Sequence, residues 1–296
     1  MKYFLTFLFL LIINFGNAQT LKDTSFTTLS EYKKQAKKFP KAKIVVRKQN
    51  KKVLEQKNVV YDTIEKRFLH FDAYLVKSKK ALPAIIILHG GGWKSGSKEM
   101  EQPLAHALSN FGYNCFTIEY RLSDEAKYPT AIDDVLNAIE YIKKNAVNYN
   151  IDTSKIAILG CSSGAQMASL IGTKHPKSVH AIINIDGILA FHHPESQEGK
   201  MASDWLGGTY HEIPEVWDEA SPLHHVSKDT PPILFVNSQF VRFHAGRDDM
   251  IKKLNSYGIY SKIEKITNSP HTFWLFDPWF EPTVIYIKQF LDKQLK

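Results

Sequence analysis

A chain of 296 residues with 44% hydrophobic and 23% charged residues has the make-up of a globular protein with one large core, which excludes an intrinsically disordered polymer. Its formal charge of +8 is concentrated at one end: residues 1–57 hold 13 of the 38 Lys and Arg but only 3 of the 30 acidic residues, leaving 25 against 27 for the rest. The body is therefore near neutral and carries no recognisable nucleic-acid module, so nucleic acid is not an expected partner. Residues 19–52 read as a solvated basic leader; attraction to an acidic polysaccharide or cell surface is the sharper alternative.

Met1 and Lys2 lead into an apolar run over residues 3–13, and Gly16, Asn17 and Ala18 place small residues at −3 and −1 of a cleavage site before Gln19. Residues 1–18 are predicted to be a secretory signal peptide, which implies a secreted or periplasmic protein. The run is shorter than the ~20 residues of a spanning helix, and no cysteine follows the cleavage site, so no stable membrane anchor is expected.

From residue 53 two loosely alternating stretches, 53–64 and 67–76, flank a polar turn at Glu65 and Lys66 and predict an antiparallel pair at a sheet edge. Residues 84–88 and 114–120 are continuous apolar or β-prone runs of the kind covered on both faces. Residues 102–111 and 132–144 have helical spacing, the second with Ile132, Val135, Leu136, Ile139 and Ile142 on one face. Strands recur at 155–159, 181–185, 233–236 and 259–266, with helices over 165–173, 248–256 and 282–295. Such alternation after an antiparallel start predicts an α/β fold with a mostly parallel, doubly wound sheet in one domain, residues 53–296. Alternation fails over 189–230, rich in Pro, His, Trp and Gly, which reads as an insertion over the carboxyl edge of the sheet. Cys115 and Cys161 fall in strands that would not be neighbours; because a disulfide needs Cα atoms within roughly 7 Å, two buried free thiols are expected.

The chemistry centres on Gly160-Cys161-Ser162-Ser163-Gly164, which follows one strand run and opens a helical one. In a G-x-S-x-G turn the serine stands at a strained bend and the glycines avoid collisions with the neighbouring elements. Serine is a weak nucleophile without a base and an oxyanion site, so partners are required. Residues 85–88 run into His89-Gly90-Gly91-Gly92-Trp93, where consecutive glycines let backbone N–H groups converge on one point. Gly91 and Gly92 are the candidate donors, joined by the N–H of Ser163. A phosphate-binding loop would need a Gly-Lys-Ser/Thr ending, which is absent.

With both motifs in place the chain resembles the α/β-hydrolase family, in its esterase branch with a His-Gly-Gly-Gly-Trp loop, over roughly residues 53–296. The resemblance implies that the histidine after the last strand is the general base, and Pro270-His271-Thr272-Phe273 occupies that place. The family's acid usually follows the seventh strand, yet here no acid appears after residues 233–236 until Asp248. Asp248 is the expected triad acid; Asp186, Glu281 and a bare Ser-His dyad are the alternatives, and a dipole-stabilising helix start is the structural reading of Asp248 and Asp249. The histidine pairs His192-His193 and His224-His225 lack the carboxylate or cysteine spacing of a metal site, so neither metal nor cofactor is expected.

In Trp205-Leu206-Gly207-Gly208-Thr209-Tyr210 and Glu219-Ala220-Ser221-Pro222-Leu223 the insertion also resembles the esterase branch. Trp205, Tyr210 and Trp217, with Trp274 and Trp279 beside the histidine loop, are candidate sugar-stacking residues, with core packing as the alternative for each, and Trp93 is a further candidate substrate-binding residue. Arg242 and Arg247 are candidate forks for a uronate carboxylate, against structural pairing with Asp248 or Asp249. The whole predicts a secreted serine carboxylesterase that removes acyl groups, acetyl above all, from an acylated plant polysaccharide such as xylan or pectin. Feruloyl or pectin methyl esterase, an exported peptidase, an arylformamidase and a non-catalytic sugar-binding protein are the rivals. Oligomeric state is left open.

Overall fold

The structure is a computed structural model that describes residues 23–46, 50–197 and 199–296. The predicted signal peptide lies outside them. The chain opens with α1 (Thr28–Gln35) and the short β1 (Lys43–Ile44), then β2 (Val53–Ile64), β3 (Arg67–Val76), β4 (Leu82–Leu88), α2 (Gln102–Ser109), β5 (Asn114–Ile118), α3 (Thr130–Lys144), α4 (Ala146–Tyr149) and β6 (Ile151–Cys161). It continues with α5 (Ser163–Lys174), β7 (Ala181–Ile185), α6 (Lys200–Leu206), α7 (Pro214–Glu219), β8 (Ile233–Asn237), α8 (Arg247–Ser256), β9 (Ser261–Lys265), β10 (Phe276–Asp277) and α9 (Phe280–Leu295).

Eight strands form one sheet in the order β2-β3-β5-β4-β6-β7-β8-β9. The pairs β2–β3 and β3–β5 are antiparallel and every later pair is parallel. Alternate residues of β4 show how the sheet is covered. Ala84, Ile86 and Leu88 point into a core shared with α3, α5 and α8, whereas Ile85 and Ile87 point into a second core shared with α2 and α9. Every residue of β5, β7 and β8 is buried, which is why these runs carry no polar alternation in the sequence. Edge strand β2 mixes exposed and buried positions, and edge strand β9 has only exposed and half-buried ones. Cys115 on β5 and Cys161 on β6 are buried and unpaired, with β4 between their strands.

Two regions position the site. The stretch between β7 and β8 contains α6, α7 and a 3₁₀ turn at Pro222–His225. The second region corrects the reading of residues 19–52 as a solvated leader, because the described part of that segment is packed into the fold. α1 starts on a reciprocal cap, Ser30 N–H donating to Thr27 Oγ1 and Thr27 N–H to Ser30 Oγ. Tyr32 meets Phe276 at 6.2 Å between ring centroids, Phe39 meets Trp279 edge-on at 5.8 Å, and β1 pairs antiparallel with β10. Lysines dominate the charge of this segment, but Phe26, Tyr32 and Phe39 anchor it on the α2/α9 side of the core. Among the described residues no helix is long and apolar enough to cross a membrane.

Candidate active site

Strand β6 ends at Cys161, α5 begins at Ser163, and Ser162 alone makes the bend with φ 52° and ψ −120°. A non-glycine residue in that region is strained, and the surroundings must hold it there. Ser162 N–H donates to Ile185 O at 2.8 Å on the neighbouring strand, while Ser162 O accepts from Ala165 and Gln166 N–H. Crossing of strand and helix at the bend leaves no room for a side chain: a Cβ on Gly160 would lie 2.0 Å from Gly164 O. The hydroxyl is thereby held at the carboxyl edge of the sheet.

His271, in the loop after β9, lies with Nε2 2.9 Å from Ser162 Oγ and Nδ1 2.9 Å from Asp186 Oδ2. An ionised carboxylate only accepts, so Nδ1 carries the proton and Nε2 is free to accept from the serine hydroxyl. The ring of Phe243 stacks on His271 at 3.4 Å between centroids and Trp274 meets it edge-on at 5.5 Å, fixing its plane. Asp186 is therefore the acid brought to His271, and the expectation of Asp248 is corrected. In the β6–β7 register Cys161 is opposite Ile185, so the next residue of each strand, Ser162 and Asp186, emerges beside the other. Asp248 lies in the first turn of α8 with its side chain 62% exposed and both Nε and Nη2 of Arg247 on its Oδ1 at 2.8 Å. Glu281 is an exposed residue in the first turn of α9.

The loop after β8, where the resemblance places the acid, instead supplies donors to it. Ser238 N–H and Oγ donate to Asp186 at 3.0 and 2.5 Å, and His244 Nδ1 lies 3.5 Å from Oδ1. Burial pushes the Asp186 pKa up, but the nearby His244 ring and the hydrogen bonds from His271 and Ser238 outweigh it and hold the group at about 2. It stays ionised wherever a neutral imidazole can act.

On the opposite side of Ser162, Gly91 and Gly92 follow β4 with φ 126° and 62°. A Cβ on Gly91 would lie 2.1 Å from Ser95 O, so the loop closes on itself only with glycine there. The N–H groups of Gly91 and Gly92 make no hydrogen bond among the described residues, and Ser163 is the first residue of α5, where N–H groups have no intrahelical partner. These three positions share with Ser162 and His271 a cavity of about 360 Å³. The arrangement is chemically equipped to attack an acyl carbon and hold the negative oxygen that results.

A family model matches residues 71–262, the stretch that carries the glycine loop, the serine turn and Asp186. The chain belongs to the BD-FAE family. This is an esterase family of the α/β-hydrolase fold. Among curated relatives, Esterase LipC of Mycobacterium tuberculosis is 26% identical over 209 residues, 64% of this chain and 50% of LipC. The chain spans about half the length of the curated relatives it matches. Among solved structures, one titled a truncated form of carbohydrate esterase from gut microbiota superposes with a TM-score of 0.66 at 24% identity, covering 81% of this chain and 96% of its own. An acetyl ester-xyloside bifunctional hydrolase from Caldicellulosiruptor lactoaceticus superposes with a TM-score of 0.67 at 21% identity, covering 77% and 89%. Both likenesses concern the fold.

Of the residues expected to bind substrate, this BD-FAE member presents two to the cavity, Trp93 and Arg242. Trp93 is mostly buried, donates from Nε1 to Gln166 Oε1 at 2.9 Å and stacks on Trp205 at 5.1 Å. Trp205 itself is fully buried among Phe191, Tyr128 and Trp93, so it is a core residue of the insertion rather than a sugar platform. Trp274 is also a core residue; it packs on His271 and donates to Glu101. Arg247 is buried beneath the site and donates to Asn237 Oδ1 at 2.9 Å, which makes it structural. Sequence reasoning missed Phe243, Ser238, His244, Ile188 and Met201, none of which belongs to a motif. The histidine pairs make ordinary contacts, His193 with Asp249 at 3.2 Å, and no metal-binding cluster occurs among the described residues.

Behind the serine turn this chain buries a carboxyl, that of Glu101, with no ion-pair partner among the described residues. Glu101 accepts from Trp274 Nε1 at 3.3 Å and lies 3.5 Å from Cys161 Sγ. Burial pushes its pKa up to about 7, against the hydrogen bonds from Cys161 and Trp274. Its folded value lies above its unfolded one, so its contribution to stability is full below about pH 4.5 and declines as pH rises to about 7. Glu101→Gln should remove that decline. In urea unfolding from pH 5 to 8, the variant is expected to gain on the parent by up to about 3 kcal/mol; parallel curves would mean that Glu101 does not titrate in this range.

Proposed function

We propose that the protein is a secreted serine carboxylesterase that deacylates plant polysaccharides, with acetyl as the preferred acyl group. The observation that carries the esterase chemistry is the continuous path Asp186–His271–Ser162, ending in a cavity with three available backbone donors. Ser162 Oγ attacks the ester carbonyl carbon as His271 Nε2 takes its proton, and the N–H groups of Gly91, Gly92 and Ser163 hold the oxyanion. Collapse breaks the C–O bond to the sugar, whose oxygen receives the proton from His271. Water, deprotonated by His271, then attacks the acyl-enzyme and releases the carboxylic acid and free Ser162.

Support for a carbohydrate ester comes from the neighbouring fold described as an acetyl ester-xyloside hydrolase and from the apolar run of residues 3–13, which fits export to where such polymers are met. Trp93, Ile188 and Met201 form an apolar side of the cavity that suits a short acyl chain. A uronate-bearing substrate is the second reading, favoured by Arg242. That guanidinium lies over the Phe243 ring at 4.4 Å, forms no ion pair with a carboxylate among the described residues and lines the cavity.

Acetate, ferulate, methanol, formate and amine release should be compared on acetylated xylo-oligosaccharide, feruloylated arabinoxylan, methyl-esterified pectin, formanilide and a peptide. Acetate from the xylo-oligosaccharide is expected to dominate kcat/KM. A higher value for the peptide or the formanilide would overturn the reading.

A further inference from the structure

The cavity that contains Ser162 and His271 has a wall from outside the matched family region: Ser25, Phe26, Glu31 and Lys34 all line it, whereas the family model begins at residue 71. Resting on the carbohydrate reading above, we propose that residues 25–34 form a leaving-group subsite that reads the hydroxyls of the sugar, with Glu31 as acceptor and Lys34 as donor.

Glu31 carries the proposal. It is 6% exposed, and among the described residues its one side-chain partner is Lys34, whose Nζ donates to Oε1 at 2.7 Å. A carboxylate offers about four acceptor sites, and burying it with most of them unfilled is unfavourable. Oε2 accepts no hydrogen bond among the described residues, yet it is not sealed from solvent, and Glu31 is one of the residues that line the catalytic cavity. Lys34, by contrast, keeps its side chain 58% exposed and has donors to spare. An acceptor and a donor held together match adjacent hydroxyls, each of which donates and accepts.

The wall is also fixed relative to the reacting atoms. Ser25 Oγ donates to Ser95 Oγ at 3.4 Å, and Ser95 donates from both N–H and Oγ to Gly91 O at 3.1 and 3.2 Å, so the segment is tied to the loop that would hold the oxyanion. Phe26 packs on the core and offers an apolar face beside the polar pair, as a sugar ring requires. The apolar side formed by Trp93, Ile188 and Met201 is left for the acyl group.

Glu31→Gln and Lys34→Met should each be compared with the parent full-length protein on 4-nitrophenyl acetate, whose leaving group has no sugar hydroxyls, and on acetylated xylo-oligosaccharide. Each variant is expected to lose at least ten-fold more kcat/KM on the sugar ester than on the aryl ester, mainly through KM. Because Lys34 is half-exposed, its variant keeps the test valid if Glu31→Gln folds poorly. Equal losses on both esters would reduce the segment to a structural wall, and no loss on either would remove it from the site. Inhibition of aryl ester hydrolysis by unacetylated xylo-oligosaccharide separates this proposal from the reading it rests on. If the parent ignores the acetylated sugar but is inhibited, and Glu31→Gln is not, the subsite stands and the substrate assignment falls. If the parent is not inhibited, the subsite falls.

Discussion

Asp186→Asn is expected to lower kcat on an aryl acetate by about 10⁴, with the fold and KM nearly unchanged, because an amide in that place no longer fixes the imidazole tautomer that accepts from serine. The carboxylate does two things: it accepts from His271 Nδ1, and its charge stabilises the imidazolium formed when the Ser162 proton moves. Asn retains the shape and loses both. Asp248→Asn is expected to change kcat less than three-fold, since that exposed side chain faces Arg247 and a helix start, an interaction of about 0.3–1 kcal/mol in stability. Stopped assays on the two purified variants at equal active-site concentration decide between them. A collapse in Asp248→Asn with a mild Asp186→Asn would reverse the assignment.

Ser162→Ala removes the nucleophile itself and is expected to cost on the order of 10⁶ in kcat, the scale seen when the serine of a triad is deleted. No covalent route remains, so only the slow attack of water with the backbone donors in place is left. Stability should hold or rise slightly. Among the described residues the hydroxyl's hydrogen bond is the one to His271, and losing it leaves the backbone bonds of the turn in place. Unchanged thermal unfolding together with lost turnover would separate chemistry from folding.

Much of this fold is legible because the physics that shapes it is local. Residues 84–88, 181–185 and 233–236 are apolar without alternation since both faces of those strands are buried, and the structure places β4, β7 and β8 there. Ser162 and His271 are legible for a related reason: the first needs glycines two residues away on either side, and the second follows the last strand of the sheet. In the sequence Asp186 is only an alternative to Asp248, because its proximity to His271 is set by register. That Cys161 faces Ile185 across two strands is a property of pairing, to which no single stretch of sequence testifies. Chain order misled further, since the loop after β8 looks as though it should hold the acid and instead presents Ser238 and His244 to it.

The aromatic residues failed for the opposite reason. Trp205 and Trp274 belong to a region rich in aromatics near the carboxyl edge, but composition does not tell which ring faces the cavity, and both are fully buried. In the segment before β2, the lysines made the charge count look like a solvated tail. Three aromatic side chains spaced through it, Phe26, Tyr32 and Phe39, were the signal that it docks. That docking is what gives the catalytic cavity its polar wall of Ser25, Glu31 and Lys34.

Labelling with a fluorophosphonate, followed by peptide mass mapping, is the most direct test that Ser162 is an activated nucleophile in this protein. Attack by Oγ on phosphorus expels fluoride and leaves a stable adduct. The expected result is one adduct per chain, on the peptide containing Ser162, formed fast in the parent, far more slowly in Asp186→Asn and not at all in Ser162→Ala. An unlabelled parent, or an adduct on any other residue, would contradict the site described here.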